Sequence, residues 1–222
     1  MSQSQSQGQA GRDAPEFAVL TGDIIRSSKL STETLDAAMA ALEGGATSMT
    51  RWEGAEPARF ERFRGDGWQC LAPSPRLALR ATLFLRASLR AALRDVETRV
   101  SIGIGPARLS PETLAAAGGP AFELSGRGLD KMARARNLAI SWANPPGAAP
   151  VIGAVVALCD EISRLWTPRQ AELLLEALSP GDAPQEVLAE RRGISQQAVA
   201  KHLRAGGGFA LQEALRAVEG AL

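Results

Sequence analysis

From Phe17 to Trp142 the apolar residues switch repeatedly between the two-residue repeat of a strand and the 3.6-residue repeat of a helix. Beyond Pro150 only the helical repeat remains. Such an order calls for a mixed sheet-and-helix layer followed by an all-helical unit. Phe17 to Leu20 reads as a short buried strand that ends at Thr21-Gly22-Asp23 and delivers an acidic residue at its exit. Ser31 and Thr32 then cap a helix carrying Leu35, Ala38, Met39 and Leu42, which Gly44-Gly45 should stop. Arg59 to Phe63 alternates charged and aromatic residues, Gly65-Asp66-Gly67 signals a tight turn, and Trp68 to Ala72 is extended again. These predict a β-hairpin with Asp66 at its tip. A helix from Pro75 to Arg94, a strand from Glu97 to Gly105, a helix from about Gly119 to Met132 and a strand from Leu138 to Trp142 complete the series. The order β-α-β-β-α-β-α-β predicts an α+β sandwich with its helices on one face of a mixed sheet.

At 222 residues, with 45% hydrophobic and 22% charged side chains, the chain can build a packed core. Its formal net charge of +1 gives no long-range pull towards nucleic acid or acidic lipid, so any DNA contact must come from local placement. Cys70 and Cys159 lie far apart and His202 is the single histidine, which argues against a thiolate zinc site or a disulfide framework. Residues 1–15 are rich in Gln, Ser and Gly and are expected to form a disordered tail. There is no signal-peptide pattern and no apolar run of the roughly 18 to 20 residues needed to span a bilayer, so the expectation is a cytoplasmic protein without a membrane partner. Arg76, Arg80, Arg86, Arg90 and Arg94 fall on one side of their helix. A solvated face is the plain expectation for that stripe, and a phosphate-holding surface the functional alternative.

The three prolines and a glycine of Asn144 to Pro150 mark a linker, so the chain divides into a sandwich (16–147), a linker helix (148–166) and a small all-α helix-turn-helix domain (167–222). Thr167 is a candidate N-cap with Pro168 in the first turn. In the last unit Ala189 is small where two helices should cross, and Gly193 can supply a left-handed turn. Ile194, Val199 and Leu203 can plug the shared core. Ser195 then caps a recognition helix, leaving Gln196, Gln197, Lys201, His202 and Arg204 on or near the face that would meet a major groove of double-stranded DNA. His202 suits a phosphate contact, or else a pH switch. A helical hairpin used only for protein contact is the other reading of the motif. From Thr167 onwards acidic residues slightly outnumber basic ones, so a monomer should bind weakly and a homodimer better. The segment after Gly206-Gly207-Gly208 has helical spacing and should pack on this unit or on a partner subunit.

The stretch Ala18 to Ser28 containing Thr21-Gly22-Asp23, the hairpin Arg64-Gly65-Asp66-Gly67-Trp68, the strand Val100 to Gly105 and the helix Gly119 to Arg127 resemble the SatD family. More distantly they resemble the catalytic domain of class III nucleotidyl cyclases. The likeness covers about residues 17–142 and implies a nucleotidyl-cyclase-like, ferredoxin-like α/β sandwich. It further implies that Asp23 and Asp66 hold Mg²⁺ on a nucleoside triphosphate. The triphosphate would lie against the backbone of Ile24, Ile25, Arg26, Ser27 and Ser28, and Arg127 would act on the transition state. Two positions depart from that pattern: Glu123 stands where the family's ribose-orienting asparagine is expected, and Arg62 and Phe63 where a purine-selecting lysine is expected.

The functional expectation is therefore a DNA-binding regulator whose cyclase-like domain dimerises and senses a nucleotide or related phosphate ligand. The alternative is a Mg²⁺-dependent nucleotidyl cyclase or nucleotidyltransferase with a helical assembly domain. In a third reading, a purely structural dimerisation module, both aspartates are dispensable: Asp23 only caps the following helix and Asp66 only makes the turn.

Overall fold

The computed structural model describes residues 15–53, 56–63, 65–181 and 184–222. The expected N-terminal tail up to residue 14, Arg64 of the hairpin motif and Asp182 lie outside them. Five strands form one sheet: β1 (Glu16–Ile24), β2 (Arg59–Phe63), β3 (Gly67–Leu71), β4 (Thr98–Pro106) and β5 (Leu138–Trp142). Their order is β2-β3-β1-β4-β5. Every pairing is antiparallel except that of β4 with β5, which is parallel. Helices α1 (Thr32–Met49) and α2 (Ala78–Ala92) make the crossovers of a βαββαβ unit, and α3 (Pro120–Asp130) joins β4 to β5. The first four strands therefore have ferredoxin-like topology, to which β5 adds an edge.

The pleat of β1 sends alternate residues to opposite faces. Ala18, Leu20 and Ile24 join Trp68, Cys70, Val100 and Ile102 in the main core, where α1 contributes Leu42 and Met49 and α2 contributes Leu79, Leu83 and Leu85. Val19 and Leu71 enter a second cluster with Ala121 of α3, and Thr21 shares a buried 2.7 Å hydrogen bond with Ser125 of the same helix. Helices thus cover both faces, contrary to the expectation of a single covered face. The reason is local: a Cβ on Gly103 of β4 would lie 2.2 Å from the Ala121 carbonyl, so the missing side chain there admits α3. The first helix also differs from expectation, since α1 runs through Gly44-Gly45 to Met49. Gly45 is buried and a Cβ there would lie 2.6 Å from Ser88 Oγ, so close packing on α2 outweighs the roughly 1 kcal/mol helix penalty of glycine.

Beyond Trp142, α4 (Ala149–Arg164), α5 (Pro168–Leu178), α6 (Gln185–Arg192), α7 (Gln196–Ala205) and α8 (Gly208–Ala221) follow. Thr167 and Gln170 form a capping box at the start of α5, and α8 packs on α5, α7 and α4. These helices continue the main core through Leu173, Leu174, Leu203 and Leu215. Two arginines of the α2 stripe, Arg80 and Arg86, lie inside this junction instead of in solvent. Arg80 is 7% and Arg86 5% exposed. Arg80 grips Glu219 of α8 through Nε and Nη2 at 2.6 and 3.0 Å. Arg86 reaches Asp160 of α4 at 3.0 Å. Arg90 pairs with Glu97, and only Arg76 and Arg94 remain exposed. Helical periodicity identified the stripe, but whether Arg80 and Arg86 met water or carboxylates depended on residues more than 70 positions away in sequence.

Candidate functional site

The end of the sheet where β1 emerges gathers the first set of predicted residues. Asp23 leaves β1 opposite Gly67, and the Ile24 N–H donates to the Asp66 carbonyl at 3.2 Å, so the hairpin tip sits against the strand exit. Both aspartates act on the charge of Arg99, but each carboxylate already has a partner. Arg99 of β4 pairs across the sheet with Asp23 and donates to both of its oxygens, Nε to Oδ1 at 2.9 Å and Nη2 to Oδ2. Ser27 donates its hydroxyl to Asp66 Oδ2. The hydrogen bond with Asp23 raises the Arg99 pKa, and the charges of Asp23, Asp66 and Asp130 add to that.

Mg²⁺ needs carboxylate oxygens free to face it. At Asp23 both are taken by a guanidinium that stays protonated at any ordinary pH. Among the described residues, no group of three or more His, Cys, Asp or Glu could hold a metal ion. The donor set as arranged, with Asp23 turned to Arg99, does not fit the implied ion.

The backbone that was to cradle a triphosphate is partly committed too. The Ile24 and Ile25 amides donate to the Asp66 and Glu97 carbonyls, so only Arg26, Ser27 and Ser28 keep their amides out of such bonds among the described residues. Arg26 adopts the left-handed region at φ 57°, ahead of a single 3₁₀ turn over Ser27–Lys29. Arg127 stands elsewhere, exposed on α3. Its Nε donates to the Glu123 carbonyl at 3.3 Å, and its Nη2 lies 3.5 Å from the Glu123 carboxylate. Arg127 lines a separate groove beside β5, where neither Asp23 nor Asp66 appears.

The second set lies on α6 and α7. Gly193 ends α6 at φ 62°, the left-handed turn expected of it. Ser195 accepts from the Ala198 N–H at 3.2 Å and so caps α7. Leu188, Ala189, Val199 and Leu203 are buried, with Ile194 packed against the core. On the outer side Gln196, Gln197, Lys201 and Arg204 are exposed, and His202 is half-buried. The Arg204 guanidinium lies 5.9 Å from the centre of the Phe209 ring. The acidic residues on α5 are not free to repel a polyanion. Glu172 pairs with Arg169 at 2.7 Å, and Glu176 with Arg191 and Arg192 at 3.0 and 3.4 Å.

Sequence reasoning missed Arg99 and Asp160. Arg99 is two residues before Ser101 on β4, so its face is legible, but its partner follows only from the register of two strands. Asp160 is wholly buried and accepts from the Asn137 and Leu138 amides at 2.7 and 3.2 Å as well as from Arg86. Burial pushes the Arg86 pKa down, and Asp160 opposes that shift. Nothing in the spacing of α4 distinguishes this aspartate from the exposed Glu161 beside it.

No helix among the described residues is long and apolar enough to cross a membrane. No family profile and no curated protein matches the chain. Among solved structures it is similar to the guanylyl cyclase Cya2, with 19% identity over 59% of this chain and 77% of that one and a TM-score of 0.38. So loose a superposition adds nothing to the strand order and register given above.

Proposed function

We propose that this protein is a DNA-binding regulator that reads duplex DNA with α7, and that its α/β part pairs two copies or answers a ligand. One observation carries the reading. Gln196, Gln197, Lys201 and Arg204 share the outer side of a short helix whose inner side is anchored by Val199 and Leu203. The entry to that helix is set by the Gly193 turn and the Ser195 cap. Gln can pair with an adenine edge, and Lys or Arg with guanine or phosphate. Side chains that read bases must be free in the unbound protein and held on a rigid element. Among the described residues the side chains of Gln196, Gln197 and Lys201 form no hydrogen bond or ion pair, which supports that role. Glu172 and Glu176 are each paired with arginines, so these two charges are answered locally, while Glu186 and Glu190 stay exposed on α6. Two copies would double the phosphate contacts and fix a half-site spacing.

The test is fluorescence anisotropy with duplexes selected from a random pool, titrated over a range of salt. Lys201→Ala should weaken binding and lower the slope of log affinity against log salt by about 1 if Lys201 meets phosphate. Gln197→Ala should cost about 1–3 kcal/mol on the selected sequence and little on others. The assignment fails if both variants bind like the parent while changes at Glu172 and Glu176 alter affinity, or if no duplex binds at low ionic strength. Conversion of ATP or GTP to a cyclic product by the purified protein, lost in Asp23→Ala, would establish the cyclase alternative instead.

A further inference from the structure

β5 is an edge strand, and the two helices flanking its open side leave a groove of about 530 Å³. That volume lies within the range of small-molecule sites. The floor is apolar: Leu138 and Ile140 from β5, Leu124 from α3 and Val156 from α4. The rim is cationic, with Arg127 and Lys131 on one side and Arg136 in the loop before β5. No carboxylate lines the groove among the described residues, and there Lys131 and Arg136 form no ion pair. The strand adds a main-chain donor. The Val100 amide donates to the Asn137 carbonyl and the Ala143 amide to the Ile104 carbonyl, so the odd-numbered residues of β5 face β4. The alternation of a parallel ladder then turns the Ile140 N–H towards the open side.

We propose that this groove binds a small amphipathic anion, an aromatic or branched body carrying a carboxylate or similar group. The body covers Leu124, Ile140 and Val156, and the charge lies between Lys131 and Arg136. A cationic ligand would meet Lys131 and Arg136 as like charges, and a neutral one would leave those two charges unanswered while covering part of their solvation. This site is distinct from the face of α7, and it is measured without DNA, so it stands or falls separately from the regulator reading. Through Val156 the ligand would touch α4, the helix whose Asp160 holds Arg86 of α2.

Isothermal titration of the full chain with naphthoate and with its neutral counterpart naphthalenemethanol tests the proposal. Naphthoate should bind at least about tenfold more tightly than the alcohol, and the exposed-residue double variant Lys131→Ala, Arg136→Ala should lose that preference. Gly153 supplies a blocker that should not unfold the protein. It lies within α4 and lines the groove, and a Cβ built there meets nothing within 4 Å. Gly153→Leu should abolish naphthoate binding and leave the melting temperature unchanged or higher, because leucine is the better helix former. Equal affinity for acid and alcohol, no binding of naphthoate, or full binding by a folded Gly153→Leu would overturn the proposal.

Discussion

Two polar regions of this molecule treat charge in opposite ways. At the exit of β1 and along α2, charged groups are held within the protein: Asp23 by Arg99, Asp66 by the Ser27 hydroxyl, Arg80 by Glu219, Arg86 by Asp160. On the outer side of α7, Gln196, Gln197 and Lys201 face solvent with no protein partner among the described residues. The first region resembles a site by its residue types and the second by its availability. Residue type and availability therefore point to different places, since a carboxylate already held by a guanidinium is better placed to fix structure than to bind a new cation.

The sharpest way to break this comparison is at Asp160. Asp160→Ala leaves the Arg86 charge buried and strips two main-chain amides of their acceptor, so urea unfolding should report a loss of about 3–5 kcal/mol. A loss under about 1 kcal/mol would mean that the inward network is not structural. The thiols test the buried interior with groups whose shifts come first from burial, with Arg86 and Asp160 acting in opposite directions on Cys159. Burial pushes Cys70 up to about 12 and Cys159 up to about 11, against an ordinary 9.0. Above pH 9 the unfolded chain sheds these protons while the folded chain keeps them. Stability is thus fully present below pH 9 and falls as pH rises towards 11, by up to about 1.4 kcal/mol per pH unit for each thiol. Cys70→Ala should remove one share of that slope.

Smaller effects are expected nearer the surface. Ser195→Ala removes the cap of α7 and should cost about 1 kcal/mol, with a larger loss of DNA binding than of stability because the cap sets the helix entry. Arg99→Gln breaks a pair in which both side chains are partly exposed, so its cost should stay within about 1 kcal/mol. That variant also releases Asp23. If the bidentate hold is what excludes a metal, Mg²⁺ should raise the melting temperature of Arg99→Gln and not that of the parent. Stabilisation of the parent by Mg²⁺ would erase the distinction between the two regions. Gln196→Ala, on the free side, should change stability by no more than about 0.5 kcal/mol.

Much of this architecture was legible in the chain. The alternation of periods located all five strands, and the Gly65-Asp66-Gly67 turn located the hairpin tip at Asp66. Gly193 and Ser195 marked the turn and the cap of α7, because left-handed backbone and N-capping are demands met by few residue types and read within a few positions. Three features were not legible. The continuation of α1 through Gly44-Gly45 depends on Ser88 and Leu85 lying opposite Gly45. The second covered face of the sheet depends on the approach of α3 to Gly103. The withdrawal of Asp23 depends on a strand register that brings it to Arg99.

By itself, the sequence determined which segments extend, which coil and where each begins, because those preferences arise from dihedral limits and side-chain spacing over a handful of residues. Only the tertiary structure decided which charges are satisfied and which are left for a partner. An ion pair such as Arg80–Glu219 joins residues 139 positions apart. Whether such a side chain meets water or its counter-charge is set by how helices and strands stack, which no local pattern records.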